Sequence, residues 1–351
     1  MEETPINLME FSRGAGCGCK IAPQVLTQIL SSGVTLPHDK LLVGNDSNDD
    51  AAVYDLDGKQ ALISTTDFFT PIVDDAFQFG AIAAANALSD VYAMGGRPIF
   101  ALAVLGWPIE KLSPALAGEV LNGAKSILEK IGIPLAGGHS IDSAEPFFGL
   151  SVNGLTEIEN LKRNDTAKEG DFLFLTKPLG VGILSASLKR KLITEADKIS
   201  LLEYLTKLND MGEKLGKISS ISAMTDVTGF GLAGHLIEMA KGSGLSAEIN
   251  YSRIKLLNGT KDYLSKRIIP DATYRNWNSY QKEISFEEGV DVMEAFSILP
   301  DPQTNGGLLI AVNPDGVKEV KEILKAHQLE IFAEPIGVLT EKKEHLIVVK
   351  K

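Results

Sequence analysis

Residues 77–94, FQFGAIAAANALSDVYAM, constrain the fold of this chain more than any other stretch of its sequence. The stretch is rich in alanine and apolar on almost every face, which is typical of a helix buried on all sides. Gly95-Gly96 follows it, as expected at a helix C-terminus. Asn86 and Asp90 lie four residues apart and therefore on one face. The sequence thus predicts a helix enclosed by other elements, with polar side chains on one side.

Strands alternate with helices on both sides of this predicted helix. Apolar runs at 51–56 and 60–65 flank Asp57-Gly58, a strong hairpin signal. Further strands are predicted at 98–105, 133–136, 147–155, 172–176, 247–251, 308–312, 336–339 and 346–349. Further helices are predicted at 22–30, 114–131, 230–240, 286–296 and 316–327, and helical segments run to about residue 220. Residues 257–286 match neither the helix nor the strand pattern. The alternation predicts an α/β (α+β) fold of mixed sheets covered by helices.

Length and a change in composition predict two domains. A chain of 351 residues has room for roughly two domains of about 150 residues each. The stretch TEIENLKRNDTAKEG at 156–170 is charged and poor in large apolar residues. We therefore predict an N-terminal domain over 1–157 and a C-terminal α/β domain over 158–351.

Charge and hydropathy exclude several classes of protein. The net charge is −12, with 34 basic and 46 acidic residues, and no basic stripe with interleaved aromatic residues favours nucleic acid. No apolar run reaches the roughly 18 residues of a membrane span, and residues 1–11 lack the pattern of a secretory signal. Two cysteines one residue apart do not form a disulfide framework. We expect a cytoplasmic protein that binds neither nucleic acid nor membrane.

Both cysteines lie in the glycine-rich segment SRGAGCGCK at 12–20. Its three glycines favour a mobile loop over a helix or strand. Arg13 and Lys20 could bias Cys17 and Cys19 towards the nucleophilic thiolate. These nine residues alone are equally compatible with an inert tail, whereas a zinc site has no H-x₃₋₅-H pair to complete it.

Aspartates provide the strongest chemical signal. Each lies at the end of an apolar element or in a tight turn, and the set is Asp49, Asp50, Asp67, Asp90 and Asp226. Any one of them alone is better interpreted as a cap or turn residue. Together they favour a site for Mg²⁺ and nucleotide phosphates, since Mg²⁺ prefers hard oxygen ligands and bridges carboxylates to phosphates.

Two glycine motifs could bind phosphate. Gly137-Gly138-His139-Ser140 is predicted to follow a strand as a loop with free backbone N–H groups. The run 229–234, GFGLAG, matches G-x-G-x-x-G, but 217–225 is predicted to be a helix end and loop, so the strand of a dinucleotide fingerprint is missing. We interpret its glycines as packing positions, with Asp226 and Thr228 serving the helix N-terminus.

Seven motifs in order resemble those of the selenophosphate synthetase (selenide, water dikinase) family, over almost the whole chain. They are GAGCGCK, VGNDSNDDAAVYDL, ISTTDFFTPIVDD, ANALSDVYAMGGRP, LAGGHSID, AMTDVTGFGLAGH and DPQTNGGLL. The more general ones are similar to the superfamily of aminoimidazole ribonucleotide synthetase. The resemblance implies a two-domain fold in which the N-terminal domains bind ATP and Mg²⁺ and pair in a homodimer.

The resemblance also implies a reaction in which ATP, selenide and water give selenophosphate, AMP and phosphate. It implies Cys17 and Lys20 as catalytic residues and Asp50, Asp90 and Asp226 as Mg²⁺ ligands. The implied nucleotide contacts are Lys20, Ser47, Asn48, Asp49, Asp67, Asp90, Gly138, His139 and Ser140. A monovalent cation such as K⁺ and a selenide-delivery protein are further candidates for cofactor and partner.

Two other functions compete with this interpretation. A kinase or synthetase of a small metabolite could use the same ATP site and would release ADP with an organic acceptor. A non-enzymatic selenium carrier would need the thiols but not the spaced aspartates, and would not turn over ATP.

Overall fold

The computed structural model describes residues 6–12, 14, 16–21, 25, 28–29, 38–44 and 49–351. Arg13, Ser47 and Asn48 lie outside these ranges, as does most of the helix predicted at 22–30. The backbone of Cys17 and Cys19 is described, but their side chains are not.

The first sheet contains six strands within the described ranges. They are β1 Leu41–Val43, β2 Ala52–Asp55, β3 Gln60–Phe69, β4 Arg97–Trp107, β5 Leu135–Asp142 and β6 Phe147–Glu157. Their order is β1-β2-β3-β6-β4-β5, and every pair is antiparallel except β4 and β5. The β2–β3 hairpin at Asp57-Gly58 is as predicted, and β3 continues through Asp67 to Phe69.

Helix α1, Ala76–Ala93, confirms the prediction of a buried helix, since nearly all of its residues are buried. Asp75 caps it by accepting a hydrogen bond from the Gln78 backbone N–H at 2.7 Å. Helix α2, Pro114–Lys130, packs against α1. Helix α1 also contacts β8 of the second sheet, so both halves of the chain enclose it.

The second sheet contains seven strands within the described ranges. They are β7 Phe172–Leu175, β8 Ile221–Asp226, β9 Ser246–Asn250, β10 Ile284–Phe286, β11 Leu308–Val312, β12 Gly337–Thr340 and β13 Ile347–Lys350. The order is β10-β13-β9-β12-β7-β11-β8, with β13 parallel to β10 and β9 and the other pairs antiparallel. The predicted fold of mixed sheets covered by helices is confirmed.

Eight helices of this half follow α2 in the described chain. They are α3 Val181–Lys189, α4 Glu195–Thr206, α5 Gly212–Gly216, α6 Gly231–Gly242, α7 Thr260–Ser265, α8 Asp271–Tyr280, α9 Val292–Ile298 and α10 Val317–Ala326. None of the helices in the described ranges is both long and apolar enough to cross a membrane.

The helix predicted at 286–296 begins later than expected. Phe286 belongs to β10 and lies beside Val349 of β13, while Asp291 caps α9 by accepting from the Glu294 N–H at 3.0 Å. Phe286 packs on the Trp277 ring and lies five residues before the Asp291 cap, so it belongs to the strand and not to the helix. The unassigned region 257–286 contains α7, α8 and β10.

The prediction of no strand before the GFGLAG run is wrong, because β8 ends at Asp226. The polar residues of β8 resemble those of a loop, which is why the sequence predicts no strand there, although Thr225 and Asp226 are both buried. The start of α6 packs tightly against the residues before β11, since a Cβ on Gly231 would lie 2.6 Å from the Pro300 carbonyl carbon. This contact confirms that the glycine serves close packing. The predicted capping role of Asp226 and Thr228 is wrong, because α6 has no side-chain cap.

A buried carboxyl group in the loop before β11 predicts a pH effect on stability. Asp301 is fully buried, and burial raises its pKa to about 8. Its Oδ2 accepts from the Gly182 N–H at 3.0 Å and from Gln303 Nε2 at 2.9 Å, while Oδ1 has no partner among the described groups.

Asp301→Asn is expected to flatten the pH dependence of unfolding. Between about pH 4 and pH 8 the folded chain keeps a proton on Asp301 that the unfolded chain has lost. The free energy of unfolding therefore falls as pH rises, by at most about 1.4 kcal/mol per pH unit from this group. Urea titrations between pH 5 and 7.5 should show a shallower decline in the variant, whereas Asp262→Asn, at an exposed site, should follow the wild type. Parallel curves for wild type and Asp301→Asn would contradict the assignment.

Candidate active site

An acidic cluster forms where α1 passes between the two sheets. It consists of the five predicted aspartates, which lie before β2, on β3, on α1 and at the end of β8, namely Asp49, Asp50, Asp67, Asp90 and Asp226. Asp90 and Asp226 are buried, and the other three are partly exposed. The structure thus brings together carboxylates that are up to 177 positions apart in the sequence.

Hydroxyl and amide side chains hold four of these carboxylates in place. The pairs are Thr65 Oγ1 to Asp90 Oδ2 (2.6 Å), Ser89 Oγ to Asp226 Oδ2 (2.5 Å), Thr225 Oγ1 to Asp50 Oδ1 (2.8 Å) and Asn86 Nδ2 to Asp67 Oδ2 (2.5 Å). Asp49 Oδ1 accepts from the Asp50 N–H at 3.1 Å. These bonds fix the carboxylates, and none of them supplies a neutralising charge.

Burial and mutual repulsion disfavour the charged carboxylates. The pKa of Asp50 lies well above its ordinary value. Burial is the largest cause, and the negative charge of Asp226 is the second. The pKa of Asp90 is raised by the same two causes, first burial and then the negative charge of Asp226. Burial is the main cause that raises the pKa of Asp49 to about 7. Burial also raises the pKa of Asp226, and the hydrogen bond from Ser89 partly lowers it again. A cation at this position would relieve the repulsion.

Among the described residues of the glycine-rich segment, Lys20 is the cationic side chain that acts on this cluster. Burial dominates the raised pKa of both Asp90 and Asp226, and the positive charge of Lys20 partly opposes it in both. Lys20 itself is exposed. Its ammonium is therefore within electrostatic range of the buried carboxylates while remaining accessible to a ligand.

The donor chemistry of the acidic cluster fits a hard divalent cation. Oδ2 of Asp50 is buried and has no hydrogen-bond partner among the described groups, so one carboxylate oxygen is available as a ligand. In the ranges that the structure describes, no three His, Cys, Asp or Glu side chains are grouped closely enough to hold one ion by themselves. Mg²⁺ does not require such a group, because it keeps several waters and binds through few carboxylates together with phosphate oxygens.

The cysteines lie on a turn of 3₁₀ helix, Gly16–Cys19, where the sequence predicts a loop. The Gly16 N–H donates to the Thr70 carbonyl at 3.1 Å, which ties the turn to the residue after β3. Gly16 has φ +52°, and a Cβ there would lie 2.6 Å from both Ile72 Cδ1 and Thr304 Oγ1. Only glycine fits this close approach.

Gly138, His139 and Ser140 differ from their prediction, because they lie within β5 and not in a loop after a strand. They lie beside Ala103, Val104 and Leu105 of the parallel neighbour β4. A Cβ on Gly138 would lie 2.2 Å from the Ala103 carbonyl oxygen, so glycine permits this strand pairing. Strand β5 is an exposed edge, and within the described residues no hydrogen bond joins these three to the acidic cluster.

Sequence reasoning missed the polar residues that hold the carboxylates. Ser89 and Thr225 each precede a predicted ligand by one residue, which is the signal that could have found them. Asn209 has no such signal, although its Nδ2 donates to Ser89 Oγ and to the Gly306 carbonyl, both at 2.8 Å. Asn305, at φ +50°, donates its N–H to Asn86 Oδ1 at 2.6 Å.

Comparison with protein families defines the class of this protein. The N-terminal domain of AIR synthase related proteins matches residues 48–156, and the C-terminal domain of the same family matches residues 168–350. Solved structures agree with this class. A thiamine monophosphate kinase from Aquifex aeolicus is 21% identical and covers 93% of this chain and 94% of its own, with a TM-score of 0.62. Hydrogenase maturation protein HypE in complex with ATP is 19% identical, covers 92% and 90%, and has a TM-score of 0.63. At these identities the likeness shows the fold.

Curated relatives show the particular family. A selenide, water dikinase of Pseudomonas putida is 49% identical over 346 residues, covering 98% of this chain and 99% of the relative. One from Sulfurovum sp. is 50% identical over 345 residues, covering 98% and 99%. The chain belongs to the selenide, water dikinase family.

Proposed function

We propose that this protein makes selenophosphate from selenide, ATP and water, releasing AMP and phosphate. The observation that carries the proposal is the acidic cluster with Lys20 beside it, at the end of the turn that bears Cys17. Relatives named selenide, water dikinase at 49–50% identity over nearly the whole chain support the choice of reaction. The protein is accordingly an ATP-using transferase.

Asp50, Asp90 and Asp226 are the proposed ligands of Mg²⁺ ions, with no single ion held by all three. When bound, Mg²⁺ would neutralise phosphate oxygens and stabilise the charge that develops during phosphoryl transfer. Ser89, Thr65 and Thr225 keep the three carboxylates oriented, so that the site is organised before ATP arrives. The residues proposed to contact the nucleotide are Ser47, Asn48, Asp49, Asp67, Gly138, His139 and Ser140, together with Lys20 and Asp90.

Lys20 and Cys17 are the proposed catalytic residues. Lys20 would bring a positive charge to the ATP phosphates, because it already acts on two carboxylates of the cluster. Cys17, three residues before it on the same turn, would hold or orient the selenium nucleophile. The turn thus connects the two substrates.

Phosphorus NMR of an anaerobic mixture of enzyme, ATP, Mg²⁺ and selenide tests the reaction directly. We expect signals of selenophosphate, AMP and phosphate in equal amounts. Cys17→Ser should lower the selenide-dependent rate at least a hundredfold while ATP binding is retained, because the nucleotide site does not include the thiol. ADP with no selenophosphate would favour a kinase of another acceptor, and full activity in Cys17→Ser would remove the thiol from the mechanism.

We propose that two copies pair through the open face of the first sheet, giving a homodimer. Helix α1 covers the opposite face, and α2 packs against α1. The open face carries apolar side chains such as Phe68, 49% exposed, and Ile141, 50% exposed. Strand β5 beside it is the edge strand of the sheet as described. Light scattering should give twice the chain mass for the wild type and the single mass for Phe68→Asp/Ile141→Asp. The control Met293→Asp, at a 72% exposed site on α9, should stay dimeric. A monomeric wild type would contradict the pairing.

Other expectations stay predictions. They are the domain division at 157/158, a K⁺ requirement, a selenide-delivery partner and a cytoplasmic location. The binding of ATP and Mg²⁺ and the pairing of subunits by residues 1–157 belong to the same set.

A further inference from the structure

A cavity of about 280 Å³ adjoins the turn that bears the cysteines. Gly14 and Gly18 of the glycine-rich segment line one side, and residues of α3, α8 and the loop before β11 line the others. Gly18 packs at ordinary contact distance, since a Cβ there would lie 3.6 Å from Ala272 Cβ and 3.7 Å from Pro302 Cγ. The turn therefore forms part of the cavity wall.

The same turn connects the cavity to the acidic cluster. Ile72 and Thr304, which Gly16 approaches most closely, both line the cavity. At the other end of the turn, Lys20 acts on the carboxylates of Asp90 and Asp226. A ligand in the cavity and a nucleotide at the acidic cluster would thus contact opposite ends of one short segment.

The cavity is positively charged although the chain as a whole is acidic. Lys189, Arg190 and Arg275 line it, against the single carboxylate of Asp271. Arg275 Nη2 donates to the Gly18 carbonyl at 2.7 Å, and Lys189 Nζ donates to the Gly14 carbonyl at 3.1 Å, which ties the segment to α8 and α3. The excess of two positive charges favours an anion.

A buried hydroxyl group provides a further donor at the cavity. Ser185 lines it and is 4% exposed, and its Oγ has no hydrogen-bond partner among the described groups. A serine within a helix commonly donates to the carbonyl four residues earlier, and this one does not. An unsatisfied buried hydroxyl is costly to the fold, so a ligand that accepts a hydrogen bond from Ser185 Oγ would be stabilised there.

The size of the cavity restricts the ligand. Pockets for drug-sized molecules measure about 300–1,000 Å³, so a cavity of about 280 Å³ lies just below that range and has room for a small anion with bound water. We propose that it binds the anionic selenium substrate, hydroselenide, next to the Cys17 turn, while ATP occupies the acidic cluster. This inference rests on the proposed function and adds a second, separate substrate site to it.

Selenium anomalous scattering tests occupancy without requiring turnover. Crystals of the full chain, containing ordinary methionine and soaked anaerobically with hydroselenide, should show a selenium peak in the cavity. Ala186→Leu places a larger side chain in the lining and should abolish the peak. A wild-type crystal with no peak in the cavity overturns the proposal, even where NMR detects selenophosphate. A peak without any selenophosphate by NMR supports the cavity site and overturns the proposed reaction instead.

Steady-state kinetics provide the second test, on a variant whose substitution lies at the surface. Arg190 is exposed at the end of α3, so Arg190→Gln leaves the core intact. We expect its KM for selenide to rise roughly tenfold with the KM for ATP unchanged, and Arg190→Lys to restore most of the loss. Lys318→Gln, on α10 away from the cavity, should match the wild type. An unchanged KM for selenide in Arg190→Gln together with Ala186→Leu would overturn the proposal.

Discussion

Asp226→Asn should lower Mg²⁺-dependent ATP turnover at least a hundredfold without destabilising the fold. The substitution removes a charge that the cluster offers to a cation, and losing one electrostatic stabiliser of the developing phosphate charge, here the cation, costs about 10²–10³ in rate. Asn keeps an oxygen that can accept the hydrogen bond from Ser89 Oγ. Because burial raises the pKa of Asp226, the ionised carboxylate opposes folding when no cation is present. The melting temperature without Mg²⁺ should therefore stay equal or increase.

Two measurements separate the metal role of Asp226 from a structural one. Added Mg²⁺ with ATP should raise the melting temperature of the wild type and raise that of Asp226→Asn much less. Asp262→Asn, on the surface helix α7, removes the same charge far from the cluster and should respond like the wild type. Undiminished turnover in Asp226→Asn would exclude this carboxylate as a ligand, and a fall of many degrees in melting temperature would indicate a structural role.

Gly123→Ala should destabilise the protein by about 3–5 kcal/mol, although alanine is the better helix former. A Cβ at Gly123 would lie 1.8 Å from the Phe77 carbonyl oxygen and 2.9 Å from the Ala81 nitrogen. Both are backbone atoms, so no side-chain rotation relieves the overlap and α1 must move away from α2. We expect the melting temperature to fall by roughly 10 °C. Activity should fall as well, because α1 carries Asp90.

Gly118→Ala is the matched control on the same helix. A Cβ there meets no atom within 4 Å, so only the change in backbone entropy remains, and stability should rise by about 0.5–1 kcal/mol. Thermal melts of the two variants should therefore shift in opposite directions. Equal shifts would show that the two helices can separate at little cost.

Elements with a strong local pattern were predictable from the sequence. Helix α1 is a clear case, since its alanine-rich composition needs burial wherever it lies. Strand β8 is the opposite case, because Thr225 and Asp226 look like loop residues and are buried only through the pairing with β11. Strand β5 was predicted to end at residue 136, yet it continues through Gly137 and Gly138, at φ +140° and +154°, by pairing with β4.

The amino-acid sequence by itself determined which residues could bind a metal and a nucleotide, and which segment could bring a thiol to them. Regular spacing and the chemistry of aspartate, glycine and cysteine are local properties. Only the tertiary structure decided how these parts are held, because the decisive contacts are distant in the sequence. Ser89 lies 137 residues from Asp226, and Thr225 lies 175 from Asp50. The basic cavity beside the Gly16–Cys19 turn likewise exists only where α3, α8 and the loop before β11 meet.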